Sequence, residues 1–271
     1  MQEESVMLEK IPQGIPKFLN QNAMIIQSNR LVESGQSLTS VEARIVFALV
    51  STLHPMTESR FELSRVPLRG LSEICDLDRY MGPKQIADAC IGIMKKPVVF
   101  REKNNKGKDI MYVRSWFMRL NISKSDNYLE FQFHPDLVDD LLSFHASLIG
   151  YTSVGVSTVS VLRDVTAMRL FQIMVKNARF GHCVYSVNDL VFILQLQNKY
   201  FDKRVNLINT AKLLKNVIDP AIAKINELTY LNVCYMTEKE GRHIDRVVFD
   251  ISIKEGATTK DYAKALAESI A

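Results

Sequence analysis

Residues 209–228 read Asn209-Thr210-Ala211-Lys212-Leu213-Leu214-Lys215-Asn216-Val217-Ile218-Asp219-Pro220-Ala221-Ile222-Ala223-Lys224-Ile225-Asn226-Glu227-Leu228. Leu214, Val217, Ile218, Ala221, Ile222 and Ile225 recur at three and four, the period of one buried helix face. Asn209, Lys212, Lys215, Asn216 and Asp219 lie on the opposite side. Pro220 removes a backbone donor within the pattern, which predicts a kink or a helix break. Two strand-like runs follow, Tyr230–Met236 and Ile244–Ile253, around the polar turn Thr237–Gly241. A helix with one polar face, closed by a β-hairpin, is the unit from which the rest of the chain is read.

Upstream, Ser186 can cap a helix through Leu194, with Asp189 three residues on. Before it come a short strand, His182–Tyr185, and a helix, Val161–Asn177, with Leu162, Val165, Leu170 and Met174 on its apolar side. The first half has the same order. Thr39-Ser40-Val41-Glu42 is a capping box, followed by the stripe Ile45, Leu49, Leu53 until His54-Pro55. Phe61–Val66 alternates as a strand, Pro67 opens a helix to about Cys75, and Gly82-Pro83 opens another, with Ile86, Ala89, Cys90, Ile93 and Met94 on one face. Two hairpins follow, Pro97–Arg101 with Ile110–Phe117 and Met118–Ile122 with Tyr128–Phe133. Asp136–Phe144 reads as helical. Its Asp139-Asp140 pair points about 100° apart on a helix and reads as solvated surface.

The two halves therefore look like a repeat. Residues 66–71 correspond to 185–190, and the hairpin turn near Gly107 to that near Gly241. The expected organisation is an irregular lead-in (1–36), a first domain (37–150), a second (151–255) joined to it through Gly150–Ser160, and a tail (256–271). The fold class is α+β: two tandem winged-helix domains, in which two helices and a small sheet present one helix to a DNA major groove while the hairpin, the wing, reaches phosphates.

The chain has 271 residues, 47% hydrophobic and 24% charged, an ordinary globular composition that excludes disorder and collagen-like repeats. No apolar run approaches 18 residues, which excludes a spanning helix. The acidic start, Met1-Gln2-Glu3-Glu4, is unlike a secretory signal, and Cys75, Cys90, Cys183 and Cys234 form no CxxC pair, so free thiols in a bacterial cytoplasm are expected. The net charge of +4 is uneven: residues 1–150 carry 18 basic and 18 acidic groups, residues 151–271 carry 16 and 12. A local basic excess suits nucleic acid, although any exposed helix carries Lys and Asn.

In the second domain the candidate DNA-binding residues are Asn209, Thr210, Lys212, Lys215 and Asn216 on the helix, the preceding cluster Lys199, Lys203 and Arg204, and Lys239, Arg242, His243 and Arg246 on the wing. Asn suits a bidentate contact to adenine, Lys a guanine or a phosphate. The first domain offers Lys84 on its counterpart helix, which also carries Gln85, Asp88, Lys95 and Lys96, and an expected wing with Lys103, Lys106 and Lys108. Those read as phosphate contacts. Exposed sheet edges between Val98 and Phe133 suit self-association. No P-loop, GxGxxG, HExxH or GxSxG motif occurs. His54, His134, His145, His182 and His243 include no His-hydrophobe-His pair of the kind that rolling-circle nicking enzymes use. Neither a catalytic constellation nor a metal or nucleotide cofactor is expected.

Several of these segments resemble the initiator replication proteins of iteron-containing plasmids. Gln27–Glu33 followed by Leu38–Arg44 is similar to that family's "SN-L-E … LS-EQR" opening, and Phe131–Leu137 to its "F-P-L" strand end. Leu162–Phe171 resembles "LKS-YA-RLYE", Val217–Asn226 resembles "V-PA--EIN", and Gly241-Arg242 its "K-GR" wing. The likeness spans roughly residues 25–253. Thr166 stands where the family has Tyr, Ala43-Arg44 replaces Gln-Arg, and the 209–216 face is less Arg-rich. The resemblance implies a plasmid replication initiator without catalytic activity. It would bind double-stranded DNA at origin direct repeats (iterons), help open the origin, recruit the host initiator and replicative helicase, and repress its own gene as a dimer on an inverted repeat. The rival readings are a winged-helix transcription regulator with no role in replication and, less in keeping with the histidines, a rolling-circle nicking enzyme.

Overall fold

The structure, a computed structural model, describes residues 14–77, 82–123, 125–143, 150–202, 207–241 and 243–255. It opens with β1 (Ile15–Pro16), β2 (Met24–Ser28), a helical turn α1 (Asn29–Val32) and β3 (Gly35–Gln36). α2 (Ser40–Val50) starts at the expected capping box: Thr39 Oγ1 accepts from the Glu42 amide, and the Glu42 carboxylate accepts from the Thr39 amide at 2.6 Å. Ile45, Val46 and Leu49 are fully buried, which makes α2 the axis of the first unit. β4 (Ser64–Pro67), α3 (Leu68–Ile74) and α4 (Gly82–Met94) follow. Two hairpins come next, β5 (Val98–Lys103) with β6 (Asp109–Arg114) and β7 (Phe117–Ser123) with β8 (Tyr128–Phe133). α5 (Val138–Leu141), β9 (Tyr151–Gly155) and α6 (Val156–Val161) come after them.

α7 (Val165–Asn177) has Asp164 as its cap and leads to β10 (His182–Ser186) and α8 (Val187–Ile193), whose amide at Asp189 is capped by Ser186 as expected. α9 (Gln197–Tyr200) and a small pair, β11 (Phe201–Asp202) with β12 (Leu207–Ile208), precede the long helix. That helix comprises α10 (Thr210–Leu213), a π-helical stretch over Leu214–Ile218 and α11 (Asp219–Leu228). β13 (Leu231–Glu240) and β14 (His243–Ile253) form the final hairpin.

The repeat is visible in the sheets. β14 lies between β10 and β13, and β8 lies between β4 and β7. In each unit a strand is followed by two helices and a hairpin whose second strand returns to pair with the first. This is the winged-helix arrangement, and the protein contains two in tandem. The apolar faces meet in one continuous core. Phe117 and Phe133 stack at 4.6 Å between ring centres inside the first sheet.

Five expectations change. First, the lead-in is not irregular after Ala23: β2 pairs antiparallel with β9 from Met24↔Gly155 to Ser28↔Tyr151. Second, the same pairing means that Gly150–Ser160 is no linker; β9 and α6 pack into the first unit, α6 against α2 and α3. Third, the β5–β6 hairpin is not the first unit's wing. β5 pairs with β3, not with β4, so Lys103, Lys106 and Lys108 sit on a separate ribbon without counterpart among the described residues of the second unit. The wing is β7–β8, with Ser125–Asn127 in its turn. Fourth, Pro220 does not break its helix. Fifth, Asp140 is not solvated surface: it is fully buried, accepting from Ser28 Oγ at 2.5 Å and from Arg30 at 2.9 and 3.1 Å. The Asp140 hydrogen bond is the main reason that the Arg30 pKa is raised. The expected tail, 256–271, lies outside the described residues. Among the described residues no helix is long and apolar enough to cross a membrane.

Candidate nucleic-acid interface

The long helix of the second unit is buried on one side as its spacing predicts. Leu214, Val217, Ile218, Ala221, Ile222 and Ile225 are all buried, and Leu213 joins them. Lys212, Lys215 and Asn216 are exposed. No ion pair among the described residues engages either lysine. Their charges are thus available to an outside anion.

Pairs of apolar residues at 213/214, 217/218 and 221/222, then Ile225, repeat every four residues. An α-helix advances about 3.6 residues per turn, so a strict four-residue stripe drifts around it. The wider π turn cancels part of the drift. In a regular α-turn the Pro220 ring would press on the carbonyl of Asn216; here the π stretch ends two residues before the proline. The proline is accommodated at the start of α11.

Four contacts hold the helix in place. The Asn226 amide clamps the edge strand β13, donating to Val233 O at 2.8 Å and accepting from Val233 N at 2.7 Å. Tyr235 OH donates to Asp219 at 2.6 Å, so that carboxylate serves the hairpin rather than the free face. Burial, then the Asp219 carboxylate, pushes the Tyr235 pKa up to about 12. Lys254 donates to Thr229 O at 2.7 Å, at the C-terminal end of α11 where a cation is favoured. Lys224 pairs with Asp164, the α7 cap, at 3.6 Å.

The other expected residues divide. Asn209 is exposed, but its Oδ1 accepts from the Lys212 amide at 3.1 Å as the helix N-cap, which competes with a bidentate base contact. Thr210 is half-buried, with its hydroxyl turned to Ile208 O. Lys199 is exposed beside the Tyr200 ring. On the wing, Lys239 and His243 are exposed next to Gly241, whose φ of +62° makes the turn. Arg246 is exposed but pairs with Asp245 at 3.3 Å. Lys203, Arg204 and Arg242 lie outside the described residues.

In the first unit, Lys84 is exposed in the first turn of α4. Lys96 is not free: its ammonium binds the Glu42 carboxylate at 2.6 and 2.8 Å. Further along α4 the outer face turns apolar, with Ile91 57% and Met94 46% exposed. Arg119, which is not among the residues expected from the sequence, is exposed on β7 of the first unit's wing. Its signal was hidden because which hairpin pairs with β4 depends on contacts far apart in the chain. Among the described residues no group of three His, Cys, Asp or Glu side chains is placed to hold a metal ion.

Two strand–helix–helix–hairpin units with a basic helix-and-wing face place the chain in the tandem winged-helix class. Two family models agree: the first winged-helix domain of initiator replication proteins matches residues 24–175, and the second matches residues 186–251. The chain belongs to the initiator replication protein family. A replication initiation protein of Escherichia coli is 22% identical over 240 residues, 85% of this chain and 70% of that protein. An uncharacterized 27.6 kDa Escherichia coli protein is 20% identical over 245 residues, covering 86% and 97%. Among solved structures, the Pi initiator protein in complex with iteron DNA superposes with a TM-score of 0.67 over 88% of this chain and all of that one, at 18% identity. That likeness concerns the fold.

Proposed function

We propose that this replication initiator binds short direct repeats at a plasmid origin through the 212–216 face and the β13–β14 wing. One observation carries the reading: Lys212, Lys215 and Asn216 project, with neither lysine ion-paired among the described residues, from a helix whose other side is clamped to the hairpin. A projecting polar face on a helix braced from behind suits the reading of a major groove. Lys212 and Asn216 read base edges. Lys199, Lys203, Arg204, Lys215, Lys239, Arg242 and His243 contact phosphates, with Asn209, Thr210 and Arg246 in supporting places. In the first unit Lys84 and the ribbon residues Lys103, Lys106 and Lys108 contact phosphates alone. The protein acts by binding and bending DNA, not by catalysis, and hands the opened origin to the host initiator and helicase.

The same chain associates with a second copy to repress its own gene on an inverted repeat. β6 supports this: it is a sheet edge, and Met111 and Val113 on it are 61% and 60% exposed. Fluorescence anisotropy on the direct repeats flanking the gene tests the first claim; repeat-specific binding that weakens steeply with salt is expected. Transformation with a minimal plasmid carrying gene and repeats separates an initiator from a transcription regulator. Nicking of supercoiled origin DNA in Mg²⁺ would overturn the non-catalytic reading.

A further inference from the structure

Among the described residues, the β5–β6 ribbon is a hairpin of the first unit without a counterpart in the second. Its base lies against the second unit. Arg101 on β5 stacks its guanidinium over the Phe192 ring of α8, 4.0 Å from the centroid, and reaches Asp189 of the same helix at 3.8 Å. β3, the ribbon's neighbour, meets α8 too: a Cβ on Gly35 would fall 2.2 Å from the Gln195 amide and 3.3 Å from Phe192 O. Glu33, just before β3, accepts from Tyr185 OH of β10 and from Lys176 of α7, both at 2.5 Å. Arg169 of α7, fully buried, donates to Val32 O and Ser34 O at 2.7 Å each. The loop between α1 and β3 is therefore fastened at its backbone as well as at its side chain. Glu33 thus engages β10, and Arg101 and Gly35 engage α8 and the residues just after it; β10 and α8 both pack on β14, whose hairpin partner β13 carries the long helix.

We infer that the Arg101–Phe192 stack and the Glu33–Tyr185 hydrogen bond set the spacing specificity of DNA recognition, by fixing the first winged helix relative to the second. The inference rests on the proposed reading that both units contact one repeat. Two units held rigidly present their contacts at one separation along the duplex and bind as a single body, whereas two units on a loose joint accept altered separations and lose effective concentration. A planar guanidinium on a ring keeps its direction as well as its contact, which a lysine does not. Arg101 and Tyr185 are positioning residues here, acting through the placement of α8.

The test compares the full-length protein with Arg101→Ala/Tyr185→Phe, and with Arg101→Lys as the conservative variant. Anisotropy is measured on the direct repeat and on a set of duplexes with one base pair inserted at each successive position. The expected outcome is that the worst insertion costs wild type on the order of 100-fold in affinity and the double variant less than about 10-fold, with a weaker optimum of its own. A variant with the wild-type insertion penalty overturns the inference. A second readout needs no DNA. Spin labels on the native Cys234, exposed on β13, and on an introduced Arg60→Cys, exposed in the first unit, report the distance between units. A narrow distribution in wild type should broaden in the double variant and broaden less in Arg101→Lys. Unchanged widths in all three overturn the inference. Failure of wild type to bind any repeat counts against the proposed function instead, and the label distances still decide the joint.

Discussion

The amide of Asp219 donates to the carbonyl of Leu214, five residues back rather than four. This π bond lies one residue before Pro220, and two features of the sequence could impose it: the proline, or the four-residue spacing of the buried pairs. The spacing is the stronger cause, because it recurs through Ile225, beyond the proline. Pro220→Ala should therefore keep the helix and change stability by less than about 1 kcal/mol. Leu214→Ala, which empties a buried site in the π turn, should cost about 2–5 kcal/mol. Urea unfolding followed by circular dichroism measures both. A loss of several kcal/mol in Pro220→Ala would put the proline in charge of the turn.

Lys212→Ala and Asn216→Ala should separate function from stability. Both residues are exposed, so each variant should melt within a few degrees of wild type. Each should lose about 1–3 kcal/mol of binding to its repeat, with less change on unrelated DNA. A variant that unfolds would show that the face has been misassigned.

Asp140 is a sterner case. Its carboxylate is fully buried among Ser28, Arg30 and Arg114, and Ser28 also caps α1. Removing one partner of a buried ion pair costs about 3–5 kcal/mol. Arg30 retains Glu102 at 3.0 Å, so Asp140→Ala should fall near the lower end of that range. Asp140→Asn should cost less, since it can still accept from Ser28. Chemical denaturation of the three proteins gives the order directly; equal stability in all three would sink the assignment.

How much of this was readable in the chain depends on the range of the interaction. The Thr39–Glu42 box, the Ser186 cap and the buried face of 213–225 depend on residues within a turn or two, and they stand where the spacing puts them. Asp140 was misread because its partners, Ser28 and Arg30, are 112 and 110 residues away. The wing of the first unit was misplaced for the same reason. Both hairpins have strand-like runs and polar turns, and only the pairing of β8 with β4, Ser64↔Phe131 to Pro67↔Tyr128, tells them apart. The exposed face proposed for DNA was partly legible as a surface: Lys212 and Lys215 are exposed where helical periodicity puts them, but the capping use of Asn209 and the loss of Lys96 to Glu42 need coordinates.

The four cysteines give a chemical check on the burial pattern. Burial pushes the thiol pKa values of Cys75, Cys90 and Cys183 up to about 12, while Cys234 is exposed. Since the thiolate is the reactive form, a chromogenic disulfide reagent at pH 8 should titrate one thiol rapidly in the native protein and all four in guanidinium chloride. Two or more fast thiols would mean that one unit opens under native conditions.

The ribbon lysines offer the sharpest division between positioning and reading. Lys106 and Lys108 are exposed at the tip of β5–β6, on a sheet separate from the one that carries the first unit's wing. A lysine that only neutralises a phosphate releases about 0.9 of a counterion, so each such contact contributes about that much to the slope of log K against log salt. Lys106→Ala/Lys108→Ala should therefore weaken specific and unrelated DNA by the same factor and flatten the slope by about 1.8. Lys212→Ala should instead lower the ratio of specific to unrelated binding. An unchanged slope in the ribbon variant would place the tip off the DNA and leave the ribbon only its hold on α8. A changed specificity ratio would mean that the tip reads bases, a task that no feature of its sheet pairing supports.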